Sequence, residues 1–224
     1  MVVNTGASAM RFIAKTLWGV WLAVVLWGNV AVGAEGDRTQ VAVLVIDSAG
    51  ILPSVLRQGE AEAARVFSMA GIEIDWANCP KASDVQHACP PAASSKQFVL
   101  HIVSDGKTST DSVFGEAFLG EDGSGKYCDV FYSRIQSARR DAGANVAEIL
   151  GAVAAHELGH LLLGSRAHSH TGIMEPVWER ESLRQIGMGT LLFTPDQAVR
   201  MKARIGEQRS PQLRAGIAMR DSYF

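Results

Sequence analysis

The stretch from Asn145 to Gly164 constrains this chain more than any other. Asn145 followed three positions later by Glu148 is a helix-start signature. The residues Ile149 to Leu163 continue without a breaker, and Gly164 supplies the expected left-handed stop. The spacing therefore predicts one long helix carrying His156, Glu157 and His160. At 3.6 residues per turn, His156 and His160 stand one above the other on one face, where both imidazoles reach a common point. Glu157 is the next residue along and reaches a water at that point rather than joining the pair.

Two histidines at i and i+4 with a glutamate between them are the H-E-x-x-H arrangement. In it the imidazoles bind Zn2+ and the carboxylate serves as general base. A catalytic zinc takes three protein ligands and leaves one position for water. Beyond the helix, a left-handed Gly164 lets the chain turn back, so His168 is the expected third ligand. His170, two residues on, is the alternative, since in an extended loop both face the same way. A glutamate ligand from Glu175, Glu179 or Glu181 is a further alternative, but those residues flank Pro176 and show no helical pattern.

The segment reads H-E-x-x-H-x-x-x-G-x-x-x-H and is followed by Gly172-Ile173-Met174. It resembles the metzincin clan of zinc peptidases, whose motif is H-E-x-x-H-x-x-G-x-x-H followed by a methionine-containing turn. Here the glycine comes one residue late and the last histidine two. The longer spacing with a nearby Gly-Ile-Met also resembles a group of exported bacterial proteins with zincin-type motifs. The resemblance implies an α+β, zincin-like fold: a mixed twisted sheet with a backing helix, an active-site helix and a C-terminal helix. It also implies Met174 as a floor beneath the metal, and a peptide or protein substrate lying along an edge strand, for which Val113–Leu119 is the candidate. The expected activity is zinc-dependent peptide hydrolysis with Glu157 as base. The alternative is an exported binding or assembly protein with a structural or inactive zinc site, to which His170 would add a fourth ligand.

Elsewhere the pattern is that of one domain. Val41–Ile46, Ile72–Trp76 and Phe98–Val103 read as strands, as do the pieces Val113–Leu119 and Tyr127–Ile135. Pro53–Ala70 repeats apolar residues at helical spacing. Thr194 and Pro195 open a last helix to about Ile205, and the tail 206–224 is expected to be poorly ordered. Arg11 and Lys15, an apolar run from Leu17 to Trp27 and the small residues Ala31 to Ala34 read as a signal peptide over 1–34, which places the mature domain at 35–224. The protein is therefore expected in the periplasm or outside the cell, without a stable membrane anchor. The uncleaved-anchor alternative stays open, because 16–33 is just long enough to span. A net charge of -2 offers no basic surplus for nucleic acid. In an oxidising compartment Cys79 and Cys89 are the expected disulfide, and Cys128 is expected to be a buried thiol. His101 reads as a hydrogen-bonded strand residue, and Asp129 or Asp141 as a possible partner of the ligand histidines.

Overall fold

A computed structural model describes residues 39–79, 97–106, 113–139 and 143–220, the backbone alone for 208–220. All of them fall in one compact unit, Asp37–Phe224. The signal segment, Cys89, His87 and Asp141 lie outside the described residues, so the expected Cys79–Cys89 bridge does too.

Five strands form one mixed sheet: β1 (Thr39–Asp47), β2 (Ile72–Asn78), β3 (Gln97–Val103), β4 (Gly115–Phe118) and β5 (Tyr127–Phe131). Their order is β2-β1-β3-β5-β4. Neighbours are parallel except β4, which runs antiparallel to β5 with Gly115 opposite Val130 and Phe118 opposite Tyr127. β1, rich in β-branched residues, is flanked on both sides, and Val41, Val43, Leu44 and Val45 are buried. In β3 the buried residues alternate as Phe98, Leu100 and Ile102, leaving Val99, His101 and Val103 half-buried on the other face.

Helix α1 (Pro53–Met69) begins with Pro53 in its first turn and buries Gly59, Ala63, Val66 and Phe67, the helical repeat the sequence shows. Helix α3 (Val146–Leu163) starts on a complete capping box. The Asn145 side chain accepts from the Ala147 and Glu148 N–H groups at 2.9 and 3.0 Å, and Glu148 accepts from the Asn145 N–H at 2.8 Å. By length and composition alone α3 is apolar enough to cross a membrane, yet 83% of it is buried within the protein, as the central helix of the core. Leu150, Leu158, Leu161 and Leu162 are fully buried there. Each contributes about 1.5–3 kcal/mol relative to exposure. That burial anchors the helix on which the histidines ride.

Four expectations are corrected. The Tyr127–Ile135 strand ends at Phe131, and Tyr132–Ala138 is a helix, α2. Arg134 explains the change: buried among Asp105, the Val113 carbonyl and the Gly106 carbonyl, its guanidinium makes bonds that an extended chain would not reach. Arg180–Gly187 is a helix, α4, which buries Ser182, Leu183 and Ile186 and pairs Arg184 with Glu181 across one turn. Helix α5 (Pro195–Arg220) opens on Thr194 and Pro195 as expected but runs past Ile205, because Gly206 costs a helix only about 1 kcal/mol and does not stop it. The strand expected over Val113–Leu119 is shorter, Gly115–Phe118.

Candidate active site

The turn after α3 builds the site. Gly164 takes φ 61° and ψ 36°, the left-handed conformation that a glycine adopts without steric cost, and the chain folds back beneath the helix end. The loop that follows brings His168 to the two helix histidines. His156 Nε2 and His160 Nε2 are 3.1 Å apart. One ligand atom from each of His156, His160 and His168 lies within 4.8 Å of the others. Two nitrogens bound about 2.0–2.1 Å from one tetrahedral zinc would be about 3.3 Å apart, so the helix pair already has the right bite. His156 and His160 are buried, and His168 is exposed on the solvent side. His170 lies outside the group, on a neighbouring groove with Glu179 and Glu181. Glu175 lines the cleft but bonds Ser182 at 2.8 Å, and Glu181 is paired with Arg184.

Each helix histidine is oriented from behind by a main-chain oxygen. His156 Nδ1 donates to the Ile173 carbonyl at 2.7 Å, and His160 Nδ1 to the Ser165 carbonyl at 2.8 Å. These bonds fix the proton on Nδ1 and leave the Nε2 lone pairs facing each other across the cluster. Asp129, one expected partner, bonds His101 instead.

Ile173 sits in a tight turn. Gly172 has φ 79°, Glu175 N–H donates to the Gly172 carbonyl at 3.2 Å, and Ile173 N–H donates to the Leu192 carbonyl at 2.9 Å. Met174 is fully buried, and its sulfur is close enough to α3 that a Cβ on Gly159 would come within 2.8 Å of it. The methionine thus packs against α3 at Gly159, while the residue before it holds His156.

Glu157 is buried and lines a cleft of about 270 Å³ whose walls include Val113, Phe114, Glu116, Arg166, Glu175 and Trp178. Trp178 stands edge-on to the His156 ring at 5.6 Å, and Phe114 stacks on Trp178 at 6.1 Å. Arg166 donates to the Leu119 carbonyl, which ties the histidine loop to the end of β4. Gly115 of β4 lies directly against the carboxylate: a Cβ there would meet Glu157 Cγ at 2.7 Å and Oε1 at 2.8 Å. The one sequence trace of this contact is an isolated glycine in a strand pattern, which marks close approach.

Burial holds the His156 imidazole down to about 3, helped by the neighbouring His160, and it also lowers His160 and His168. All three rings are therefore neutral and ligand-competent at neutral pH. Burial, with the Glu116 charge nearby, pushes Glu157 up to about 8. The unfolded chain binds more protons at His156 between about 3 and 6.5, so that contribution to stability rises with pH. The folded chain holds the Glu157 proton between 4.5 and about 8, so its contribution falls with pH. For metal-free protein the two oppose between 4.5 and 6.5. The expected result is a thermal-unfolding midpoint, measured in chelator, that is highest in this interval and declines on both sides. Glu157→Gln should remove the alkaline decline. A midpoint that climbs steadily to pH 8 would contradict the assignment.

Fold and side chains together define a mixed α+β chain with a three-imidazole metal-binding cluster beside a buried carboxylate. The donor set fits zinc: neutral nitrogens, tetrahedral spacing and room on the cleft side for a further ligand. No protein-family model and no curated protein matches the chain. Among solved structures it is similar to archaemetzincin from Methanopyrus kandleri, at 16% identity over 77% of this chain and 98% of that one, with a TM-score of 0.45. It is also similar to a zinc-dependent peptidase from Methanocorpusculum labreanum, at 15% identity over 71% and 99%, with a TM-score of 0.47.

Proposed function

We propose that the protein is a zinc-dependent, metzincin-like peptide hydrolase with His156, His160 and His168 as ligands and Glu157 as general base. The observation that carries this is the convergence of three imidazole nitrogens within 4.8 Å in the wall of a cleft that a buried carboxylate also lines. A purely structural site has no use for such a base. Zinc held there supplies a Lewis acid and brings the pKa of a bound water to about 7. The charge of the bound cation would favour the ionised form of Glu157, which then takes a proton from the attacking water and returns it to the departing amine. The desolvated walls of Phe114 and Trp178 strengthen every electrostatic contact at the carbonyl.

β4 supports an extended peptide as substrate, because it is an edge strand of the sheet and lines the same cleft, so backbone pairing would give affinity and side-chain pockets preference. We further propose export and a Cys79–Cys89 bridge, supported by the basic and apolar segment ending at Ala34 and by the cysteine spacing. N-terminal sequencing of the mature protein beginning at Glu35 would bear out the cleavage, and an intact Met1 would point to the anchor.

The ligand set is tested by metal content. Purified wild type is expected to hold one zinc. His168→Ala should lose well over the roughly 100-fold in affinity that a missing outer partner costs, and His170→Ala should bind as wild type does. Zinc retained by His168→Ala and lost by His170→Ala would reassign the third ligand. Zinc bound with no cleavage of a peptide library would favour the binding-protein alternative.

A further inference from the structure

Away from the histidine cluster, a second set of polar side chains is ordered across the sheet. Ser48 Oγ stands 2.8 Å from His101 Nε2. His101 Nδ1 lies 3.1 Å from Asp129 Oδ1 and 2.6 Å from the Tyr127 hydroxyl. His101 belongs to β3, Asp129 and Tyr127 to β5, and Ser48 follows the last residue of β1. Strand pairing of Ile46 with His101 and of His101 with Asp129 fixes the lateral spacing. The Ser48 N–H donates to the Ile102 carbonyl at 2.9 Å, so the serine backbone is tied to the strand that carries the histidine.

The direction of the protons follows from the one member that can only accept. The Asp129 carboxylate accepts the His101 Nδ1–H, the Tyr127 oxygen at 2.6 Å shares that proton as a second acceptor, and the Tyr127 O–H is left to the same carboxylate. Burial and the bond to Asp129 push the Tyr127 hydroxyl well above its ordinary value, which keeps it protonated. With the imidazole proton on Nδ1, Nε2 is the acceptor and Ser48 the donor. Nucleophile, base and orienting carboxylate then stand in the order that activates a serine.

We propose that Ser48 is an activated nucleophile with His101 as its base, positioned by Asp129 and Tyr127, and that it accepts acyl and phosphonyl groups from activated esters independently of the metal cluster. Ser48 is exposed, and the His101 and Asp129 side chains each keep 22% of their surface, so a small reagent has access. The backbone limits the substrate class. Ser48 and Ala49 N–H both donate to Ile102 O, and Gly50 and Ile51 N–H both donate to the Asp47 carboxylate. Every N–H from 48 to 51 is spent, so none is left to stabilise an oxyanion, a contribution of about 10²–10³ in rate. Peptides and alkyl esters are accordingly excluded, and aryl esters and fluorophosphonates, whose leaving groups need little help, remain.

With an aryl ester, Oγ bonds to the carbonyl carbon and the carbon–aryloxide bond breaks. The Oγ proton passes through Nε2 to the departing phenol. Water then cleaves the acyl-serine by the same proton path and restores the hydroxyl. With a fluorophosphonate, the P–F bond breaks, fluoride leaves and the proton remains on His101 or passes to solvent. The serine keeps a stable phosphonyl group.

The test is to treat the full chain with an alkyl fluorophosphonate, with and without a metal chelator, and to map the adduct by mass spectrometry. One phosphonyl group on Ser48 is expected, at a rate unchanged by the chelator. That rate should fall at least about 100-fold in His101→Gln and at least about tenfold in Asp129→Asn. p-Nitrophenyl acetate should give a one-equivalent burst that Ser48→Ala abolishes, while zinc content and peptide cleavage in Ser48→Ala stay as in wild type. An adduct on another residue, no adduct on wild type, or equal Ser48 labelling in a folded His101→Gln would overturn the proposal. Because wild-type mapping alone decides the first two outcomes, a variant that fails to fold leaves the test intact.

Discussion

Glu157→Gln is expected to retain one zinc and lose about 10²–10⁴-fold in turnover of any peptide the wild type cleaves, the range contributed by a positioned general base. The amide has nearly the shape of the carboxylate, so the cleft wall and the Gly115 contact are preserved. It has no basic oxygen to take a proton from water. The loss should fall on kcat and on kcat/KM alike, because the missing interaction belongs to the transition state. Metal analysis beside steady-state kinetics separates the outcomes. Full activity in the variant would remove Glu157 from the chemistry, and loss of zinc would mean that the carboxylate supports the metal instead.

Gly115→Ala should be nearly as damaging without touching any residue of the histidine cluster. Its Cβ would stand 2.7 Å from Glu157 Cγ and 2.7 Å from the Asp129 carbonyl, distances that real Cβ atoms do not tolerate. The strand is hydrogen-bonded to β5 and cannot easily retreat, so the carboxylate has to swing aside. Misplacement by about 1 Å is enough for about a 100-fold loss in rate, and overpacking costs about 1–3 kcal/mol of stability. Zinc content should be unchanged. A Gly115→Ala protein that cleaves at the wild-type rate would show that Glu157 is free to move in the working enzyme.

The parts of the site that local chemistry determines are those a reader of the sequence can see. The Asn145–Glu148 box, the i, i+4 histidines, the left-handed Gly164 and the Thr194–Pro195 helix start each depend on residues within a turn of one another, and each stands where the spacing predicts it. Long-range partners decide the rest. Tyr132–Ala138 has the composition of a strand end, but the bonds of Arg134 to Asp105 and Val113 draw it into a helix. Arg180–Gly187 is eight residues long, too short for its period to stand out beside Pro176. The choice between His168 and His170 turns on how the loop closes, which spacing alone leaves open. The acceptors behind His156 and His160 leave no trace at all, since both are carbonyls that any residue would offer. The Ser48–His101–Asp129 set is assembled from β3, β5 and the residue that follows β1, and each residue by itself is ordinary.

Those two carbonyls have a consequence for how such a site tolerates change over time. Ser165 and Ile173 support the histidines with main-chain atoms, so substitution at either position leaves the supporting oxygen where it was. Insertion or deletion between Ser165 and Ile173 would instead change the span of loop between the two oxygens, on which the place of His168 depends. What this loop has to pass on from one generation to the next is its count of residues and the glycines at its bends. A drifting family could therefore lose nearly all recognisable identity around the metal while its ruler stayed the same length.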